Sequence, residues 1–154
     1  MPFDSTDLRI PEIDPATYQA RRAQAAMMWL RILPEDFNMR CFRSCALGWL
    51  ATWELDGWYW DKQTGEPRCR VVADYAKNDD PYAHAAMYFG LTVKQADLCF
   101  GWDRWTAIFH CRWRIERVGP EDVVRTLRSL PVTVPAELLR VSRHEGAQHV
   151  GQET

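Results

Sequence analysis

The most apolar stretch of the chain runs from Cys45 to Trp53, where only Gly48 and Thr52 interrupt the apolar residues and no charge occurs. Cys45, Trp49 and Trp53 recur at four-residue steps, which places them on one face of a helix. A helix that is apolar nearly all round lies inside a domain, and this one is too short to span a bilayer. The pattern therefore predicts a buried central helix.

Two residues indicate how that helix begins and packs. Ser44 precedes it and is predicted to be its N-cap. Gly48 lowers the stability of a helix, so its expected use is to let another backbone approach closely.

An earlier helical pattern covers about residues 15–33. It begins at Asp14-Pro15, a cap residue followed by proline at the first helical position. Arg21 lies off the apolar stripe of this segment, and the pattern predicts an amphipathic helix. The apolar stripe consists of Ala16, Ala20, Ala23, Met27, Leu30 and Leu33.

Apolar residues recur at helical spacing in four later segments, each with a recognisable start signal. One of these segments begins with Thr92 and Gln95, which predict a capping box. The predicted helices cover about residues 81–89, 93–100, 120–130 and 135–144.

Two segments allow more than one structure. Residues 57–73 fit a β-hairpin with a turn at 62–67, and they equally fit an irregular loop. Residues 105–118 alternate like a half-exposed strand in their second half and resemble a helix in their first half.

These elements predict one mainly α-helical domain. We expect a single compact domain over residues 1–145, with five or six helices around the buried central helix and at most a small β-hairpin. Residues 1–13 are predicted to form an extended arm, and residues 146–154 a disordered tail.

Composition narrows the class of protein. The net charge is −2, which gives no general attraction to nucleic acids or acidic membranes. The five cysteines are an odd number and match no disulfide framework. The N-terminus lacks the pattern of a signal peptide, and no window is apolar enough for a membrane helix. We expect a cytoplasmic protein, and no residue pattern calls for a cofactor.

Three short segments read Cys-Ala-Leu-Gly-Trp at 45–49, Phe-Gly-Leu-Thr-Val-Lys-Gln-Ala at 89–96 and Val-Gly-Pro-Glu-Asp-Val-Val at 118–124. Together they resemble a family of uncharacterised bacterial and phage proteins with a Cys-x-x-Gly-Trp helix, a Gly-Leu-Thr-x-x-Gln-Ala segment and a Pro-Glu-led C-terminal helix. This chain departs from the family at Cys41, which lies one residue nearer to Cys45 than the family pattern has it. The resemblance implies a small helical intracellular protein of phage or mobile-element origin, and it supplies no activity.

Cysteine chemistry has two candidate forms. Cys45, at the predicted helix start, could be an activated nucleophile served by His84 or His110. Cys41 and Cys45 could be two ligands of a structural zinc ion, with the other ligands from distant segments. Neither arrangement has the spacing of a known site, and unrelated core thiols are the simpler interpretation.

A DNA-binding interpretation comes from residues 85–102, where the order of small residues, Gly turn and capped helix resembles a helix-turn-helix. Its recognition helix would present Lys94, Gln95 and Asp97. A single lysine beside an aspartate provides little positive charge for phosphate contacts, so nucleic-acid binding is disfavoured.

Tryptophan and arginine interleave between residues 102 and 117, and both are enriched at the centres of protein interfaces. The leading hypothesis is a non-catalytic protein-interaction module, of the kind a phage or prophage protein uses to bind a host protein. The oligomeric state is left open. The predicted contact residues are Trp102, Arg104, Trp105, Arg112, Trp113, Arg114 and Arg117.

Overall fold

Five α-helices and one two-stranded antiparallel hairpin form the described part of the chain, which is residues 14–39, 41–76, 78–101 and 118–134 of a computed structural model. A mainly helical fold with a small hairpin is therefore confirmed. The elements are α1 (Pro15–Trp29), α2 (Ala46–Thr52), β1 (Trp58–Trp60), β2 (Pro67–Cys69), α3 (Pro81–Phe89), α4 (Val93–Phe100) and α5 (Pro120–Ser129).

Several predictions concern segments outside the described residues. They are the extended arm at 1–13, most of the ambiguous stretch at 105–118, the helix at 135–144 and the tail at 146–154. The single domain over residues 1–145 likewise stays a prediction.

Helix α1 begins as predicted, with the Asp14 carboxylate accepting the Ala16 N–H at 3.0 Å. It ends at Trp29, earlier than the predicted end at residue 33. Leu33 has extended backbone angles because the following Pro34 disfavours the helical conformation.

The buried face of α1 differs from the predicted one. The apolar stripe at Ala16, Ala20, Ala23, Met27 and Leu30 is exposed in the structure. The buried residues of α1 are Tyr18, Arg21, Arg22, Ala25, Ala26 and Trp29.

The start of α2 corrects one prediction and confirms another. Its N-cap is Cys45 rather than Ser44, and the Cys45 Sγ accepts the Gly48 N–H at 3.4 Å. Gly48 lies directly against the carbonyl of Phe42, and a Cβ at position 48 would collide with that oxygen. The predicted close backbone approach at Gly48 is confirmed.

The hairpin interpretation of residues 57–73 is correct for its two short strands. Trp58 pairs with Cys69 and Trp60 pairs with Pro67. Gly65, with φ of 72°, lies in the connecting turn. Residues 70–75 leave the sheet and form turns.

Helices α3 and α4 are joined by a short turn, and the sequence signals that predicted the end of α3 and the start of α4 are both present in the structure. Gly90 ends α3 in the left-handed conformation, which favours glycine. The capping box of α4 is present, with Thr92 and Gln95 exchanging hydrogen bonds of 3.0 and 3.1 Å.

Aromatic rings meet where α1, α3 and α4 come together. The Trp29 ring lies 5.8 Å from Phe89 and 6.0 Å from Phe100. Helix α2 buries Leu47 and Leu50 in the same core, and its Ala46 carbonyl accepts the Trp29 Nε1–H at 2.9 Å. The predicted role of α2 as the centre of the fold is nevertheless not confirmed.

The buried Arg22 joins α1 to the C-terminal ends of two other helices. Its guanidinium donates to carbonyl oxygens at or just beyond the C-terminal ends of these helices, where intrahelical donors run out. It also places a positive charge where helix dipoles favour one. The acceptors are the carbonyls of Phe89 and Gly90, at 2.8 and 3.0 Å, and those of Leu127, Leu130 and Pro131.

Arg22→Met should lower the free energy of unfolding by about 3 kcal/mol or more, because carbonyls at the ends of two helices lose a charged donor together. Urea denaturation measures this. Arg125→Met is the matched control on exposed α5 surface and should stay within about 0.5 kcal/mol of the wild type. Equal losses in the two variants would contradict this role of Arg22.

Gly48→Ala should lower the free energy of unfolding by about 2 kcal/mol or more, because the added methyl group displaces the Phe42 carbonyl. Gly65→Ala is the control, since position 65 has a positive φ but nothing within 4 Å of an added Cβ. Gly65→Ala should lower the free energy of unfolding by only about 1 kcal/mol, which is the cost of placing alanine in the left-handed backbone region. Similar losses would mean that the contact with Phe42 is easily relieved.

Candidate protein-binding site

The interface predicted from sequence lies outside the described residues. All seven of its Trp and Arg residues fall between positions 102 and 117, so the hypothesis about that stretch stays a prediction. The described part of the chain contains a different candidate surface, built from α1 and α2.

The exposed apolar stripe of α1 is the first part of this surface. Ala16, Ala20, Ala23, Met27 and Leu30 follow each other at steps of four, three, four and three residues. Alternating steps of three and four are the seam spacing of a coiled coil. Over these residues the stripe is about 21 Å long, at 1.5 Å per residue.

The second part is an apolar groove where α1 ends and the chain turns toward α2. This groove has a volume of about 320 Å³. It is lined by Met28, Ile32, Leu33, Trp49 and Trp53, together with Arg31 and Asp36.

Local contacts hold the two tryptophans of the groove in place. The Trp49 Nε1–H donates to the Asp36 carbonyl at 3.1 Å, which fixes the orientation of the ring. The rings of Trp49 and Trp53 lie 5.4 Å apart, one helical turn from each other. Both side chains are only half-buried, so the face they share with Cys45 is not wholly a core face.

Exposed apolar residues concentrate at this surface. Met27, Leu30 and Leu33 are 53%, 49% and 57% exposed, and among the described residues only Val93 is a comparably exposed large apolar side chain. Sequence reasoning missed the surface because it could not tell which face of α1 packs inward. The available signal was the strict three-four spacing, which suits a helix partner as well as a core.

Two side chains of opposite charge line the groove. Arg31 and the Asp36 carboxylate make no hydrogen bond or ion pair with any described residue. Their charges are therefore available to a partner.

The nucleophile hypothesis for Cys45 gains no support from its surroundings. Burial raises the pKa of the Cys45 thiol to about 11, so it is neutral at pH 7. Its Sγ faces the Phe42 carbonyl at 3.6 Å and accepts the Gly48 N–H. A reactive cysteine needs the opposite shift, toward the thiolate.

The zinc hypothesis likewise gains no support from the described residues. In the described ranges, no group of three or more His, Cys, Asp or Glu residues could hold a metal ion. Cys41 is exposed while Cys45 is buried in its capping contacts.

The helix-turn-helix hypothesis is limited by what α4 exposes. Gln95 is engaged in the capping box, with its side chain accepting the Thr92 N–H. Lys94 is exposed next to the half-buried Asp97, so the polar face of α4 carries both charges.

His84 is buried and is the histidine in the described part of the chain that could act as a base, but its hydrogen bonds commit it to structure. Its Nδ1 accepts the backbone N–H of Cys69 at 2.9 Å, so Nε2 carries the proton toward Asp79 at 3.2 Å. Arg68 donates to the same carboxylate at 3.1 Å. Burial raises the pKa of the Cys69 thiol to about 12. This cluster joins β2 to α3 and provides no activated nucleophile.

Comparison with known protein families, curated proteins and solved structures found no match. The resemblance to the uncharacterised bacterial and phage family therefore stays a prediction. In the described ranges, none of the helices has the length and apolarity needed to cross a membrane.

The stability of the protein should fall with acidification below pH 6.5 because of His84. Burial lowers the pKa of His84 below its usual 6.5, partly opposed by Asp79, so the unfolded chain binds this proton more readily than the folded one. The contribution is fully present above pH 6.5 and is lost as the pH falls through the folded pKa. Its slope is at most about 1.4 kcal/mol per pH unit.

Urea denaturation of the wild type and of His84→Gln across this pH range measures the effect. The difference in unfolding free energy between the two proteins should shrink as the pH falls. A difference that does not change with pH would contradict the neutral, buried state of His84.

Proposed function

We propose that the protein is a non-catalytic protein-binding module, of the kind that a phage or prophage protein uses to bind a host protein. We further propose that it receives an amphipathic helix of the partner along the exposed stripe of α1. The observation that carries this proposal is the stripe itself, because a coiled-coil seam lies exposed and leads to an apolar groove.

The shape of the surface supports a helical partner. The small side chains of Ala16, Ala20 and Ala23 allow a close approach along the first part of α1, and the larger Met27 and Leu30 follow. Knobs at three-four spacing pack between the side chains of a facing helix. Amphipathic helices that bind apolar surfaces use the same spacing for their anchors.

The groove supports an anchoring role at the end of the stripe. Tryptophan is the residue type most enriched among energetically dominant contacts, and methionine adapts to different partner shapes. A large apolar side chain of the partner would enter between Met28, Trp49 and Trp53. Arg31 favours a carboxylate beside that anchor, and Asp36 favours a basic group on its other side.

The stretch from Trp102 to Arg117 remains part of the proposal as a second contact region, on the sequence grounds given above. DNA binding, structural zinc and a cysteine nucleophile remain alternatives of lower standing. No described residue favours any of these three over protein binding.

The double variant Met27→Gln/Leu30→Gln should weaken partner binding at least about tenfold, because it places two amide groups in a desolvated seam. The partner is first isolated from the native host with tagged protein, then purified, and its affinity is measured by calorimetry. Glutamine keeps the helix propensity of α1, and each exposed change should alter stability by no more than about 0.5 kcal/mol.

Val93→Gln is the matched control, since Val93 is 56% exposed on a different helix and should leave the affinity unchanged. A purified partner that binds the double variant as tightly as the wild type would overturn the assignment of the α1 stripe. Self-association of the purified protein that the double variant abolishes would also overturn it, because a second copy would then be the occupant.

A further inference from the structure

A second cleft, separate from the groove, is lined in part by two positively charged side chains that make no hydrogen bond or ion pair with a described residue. It has a volume of about 490 Å³, within the range of small-molecule sites. None of its lining residues belongs to the groove or to the α1 stripe. They are Arg43, Thr52, Trp60, Asp61, Lys62 and Gly65.

Three elements build this cleft. Arg43 comes from the loop before α2, Thr52 is the last residue of α2, and Trp60 ends β1. The Trp60 Nε1–H donates to the Thr52 Oγ1 at 3.2 Å, which ties the indole ring to α2.

The hairpin turn forms the remaining wall in an ordered conformation. The Asp61 carboxylate accepts the Gln63 N–H at 2.9 Å, and the Asp61 carbonyl accepts the Gly65 N–H at 2.7 Å. The hydrogen bond from Gln63 holds the pKa of the Asp61 carboxyl below its usual range. The turn therefore presents a fixed carboxylate beside Lys62.

The two cations of the cleft differ from the arginines that hold the fold. Arg22 and Arg68 are buried and fully engaged with carbonyl and carboxylate oxygens. Arg43 and Lys62 are exposed and make no hydrogen bond, ion pair or ring contact with any described residue. Two free positive charges thus line one cleft that holds a single carboxylate.

We propose that this cleft binds a nucleotide, with its phosphate at Arg43 and Lys62 and its base against the ring of Trp60. Arginine and lysine are the usual phosphate donors, and nucleobases stack on aromatic side chains irrespective of sequence. Asp61 can accept a hydrogen bond from a ribose hydroxyl or an exocyclic amine. The ligand is a free nucleotide or the phosphorylated end of a single strand, since both present the same chemistry.

The test follows the Trp60 indole in ¹H–¹⁵N spectra, where its signal is identified by its loss in Trp60→Phe. Titration with AMP should shift this signal, while adenosine alone and inorganic phosphate alone should bind more weakly than AMP. A 5′-phosphorylated single-stranded tetranucleotide separates the two sources. Tighter binding than AMP assigns a strand end, and equal or weaker binding assigns the free nucleotide.

Lys62→Ala and Arg43→Ala should each weaken AMP binding by about two- to fivefold, the effect of an exposed charge pair. Lys94→Ala removes an exposed, equally unpaired lysine outside the cleft and is the matched control. Because the side chains of Arg43 and Lys62 make no hydrogen bond, ion pair or ring contact with any described residue, both variants should retain the wild-type spectrum without ligand. A Trp60 signal that does not move at millimolar AMP would overturn the proposal. So would equal effects of Lys62→Ala and Lys94→Ala.

Discussion

Two neighbouring guanidinium groups on α1 are buried, and the arrangement of the surrounding helices supplies the acceptors that these groups need. Arg21 and Arg22 are only 8% and 5% exposed, and a buried cation needs acceptors for its donors. Arg22 finds them at the carbonyl ends of α3 and α5. Arg21 finds one at the Tyr88 carbonyl, at 3.1 Å, and its guanidinium lies 4.6 Å from the centre of the Tyr88 ring. The helix ends must converge on α1 for these charges to be buried at all.

Arg21 also supports a strained connection between α2 and the hairpin. Glu54 and Asp56 have φ of 53° and 46°, in the left-handed region that costs a side chain about 1–2 kcal/mol. The Asp56 carboxylate accepts the Tyr88 hydroxyl at 2.9 Å and lies 3.8 Å from the Arg21 Nε. Burial and the Asp56 charge raise the pKa of Tyr88, so the hydroxyl keeps the proton that it donates. These contacts offset the strain at Asp56, and Glu54 has no such compensation among the described residues.

Local signals in the sequence predicted several features that depend on nearby residues, although the N-cap predicted at Ser44 is in fact Cys45. The Asp14 cap, the capping box at Thr92 and the close approach at Gly48 each involve partners within a few positions, and each is present. The burial of Arg21 and Arg22 on α1 depends instead on carbonyl acceptors 67 to 109 residues away, which periodicity along the helix cannot report. An arginine beside an apolar stripe is therefore predicted to be solvent-exposed unless its distant acceptors are known. The groove escaped prediction for the same reason, because it exists only where the end of α1 meets Trp49 and Trp53.

In the described part of the chain, the buried thiols and the buried histidine differ from the residues that line the groove and the cleft in how far their polar atoms have partners. The buried thiols of Cys45 and Cys69 are held neutral, and His84 has both ring nitrogens engaged. The groove and the cleft are lined instead by exposed apolar side chains and by surface charges that make no hydrogen bond or ion pair with a described residue, although Val93 and Lys94 show that such groups also occur elsewhere. Helix α2 contributes to both, since Thr52 lines the cleft and the adjacent Trp53 lines the groove. A shift of this short helix would move both surfaces together, so the contact of Gly48 with Phe42 that sets its position also determines the geometry of each proposed site.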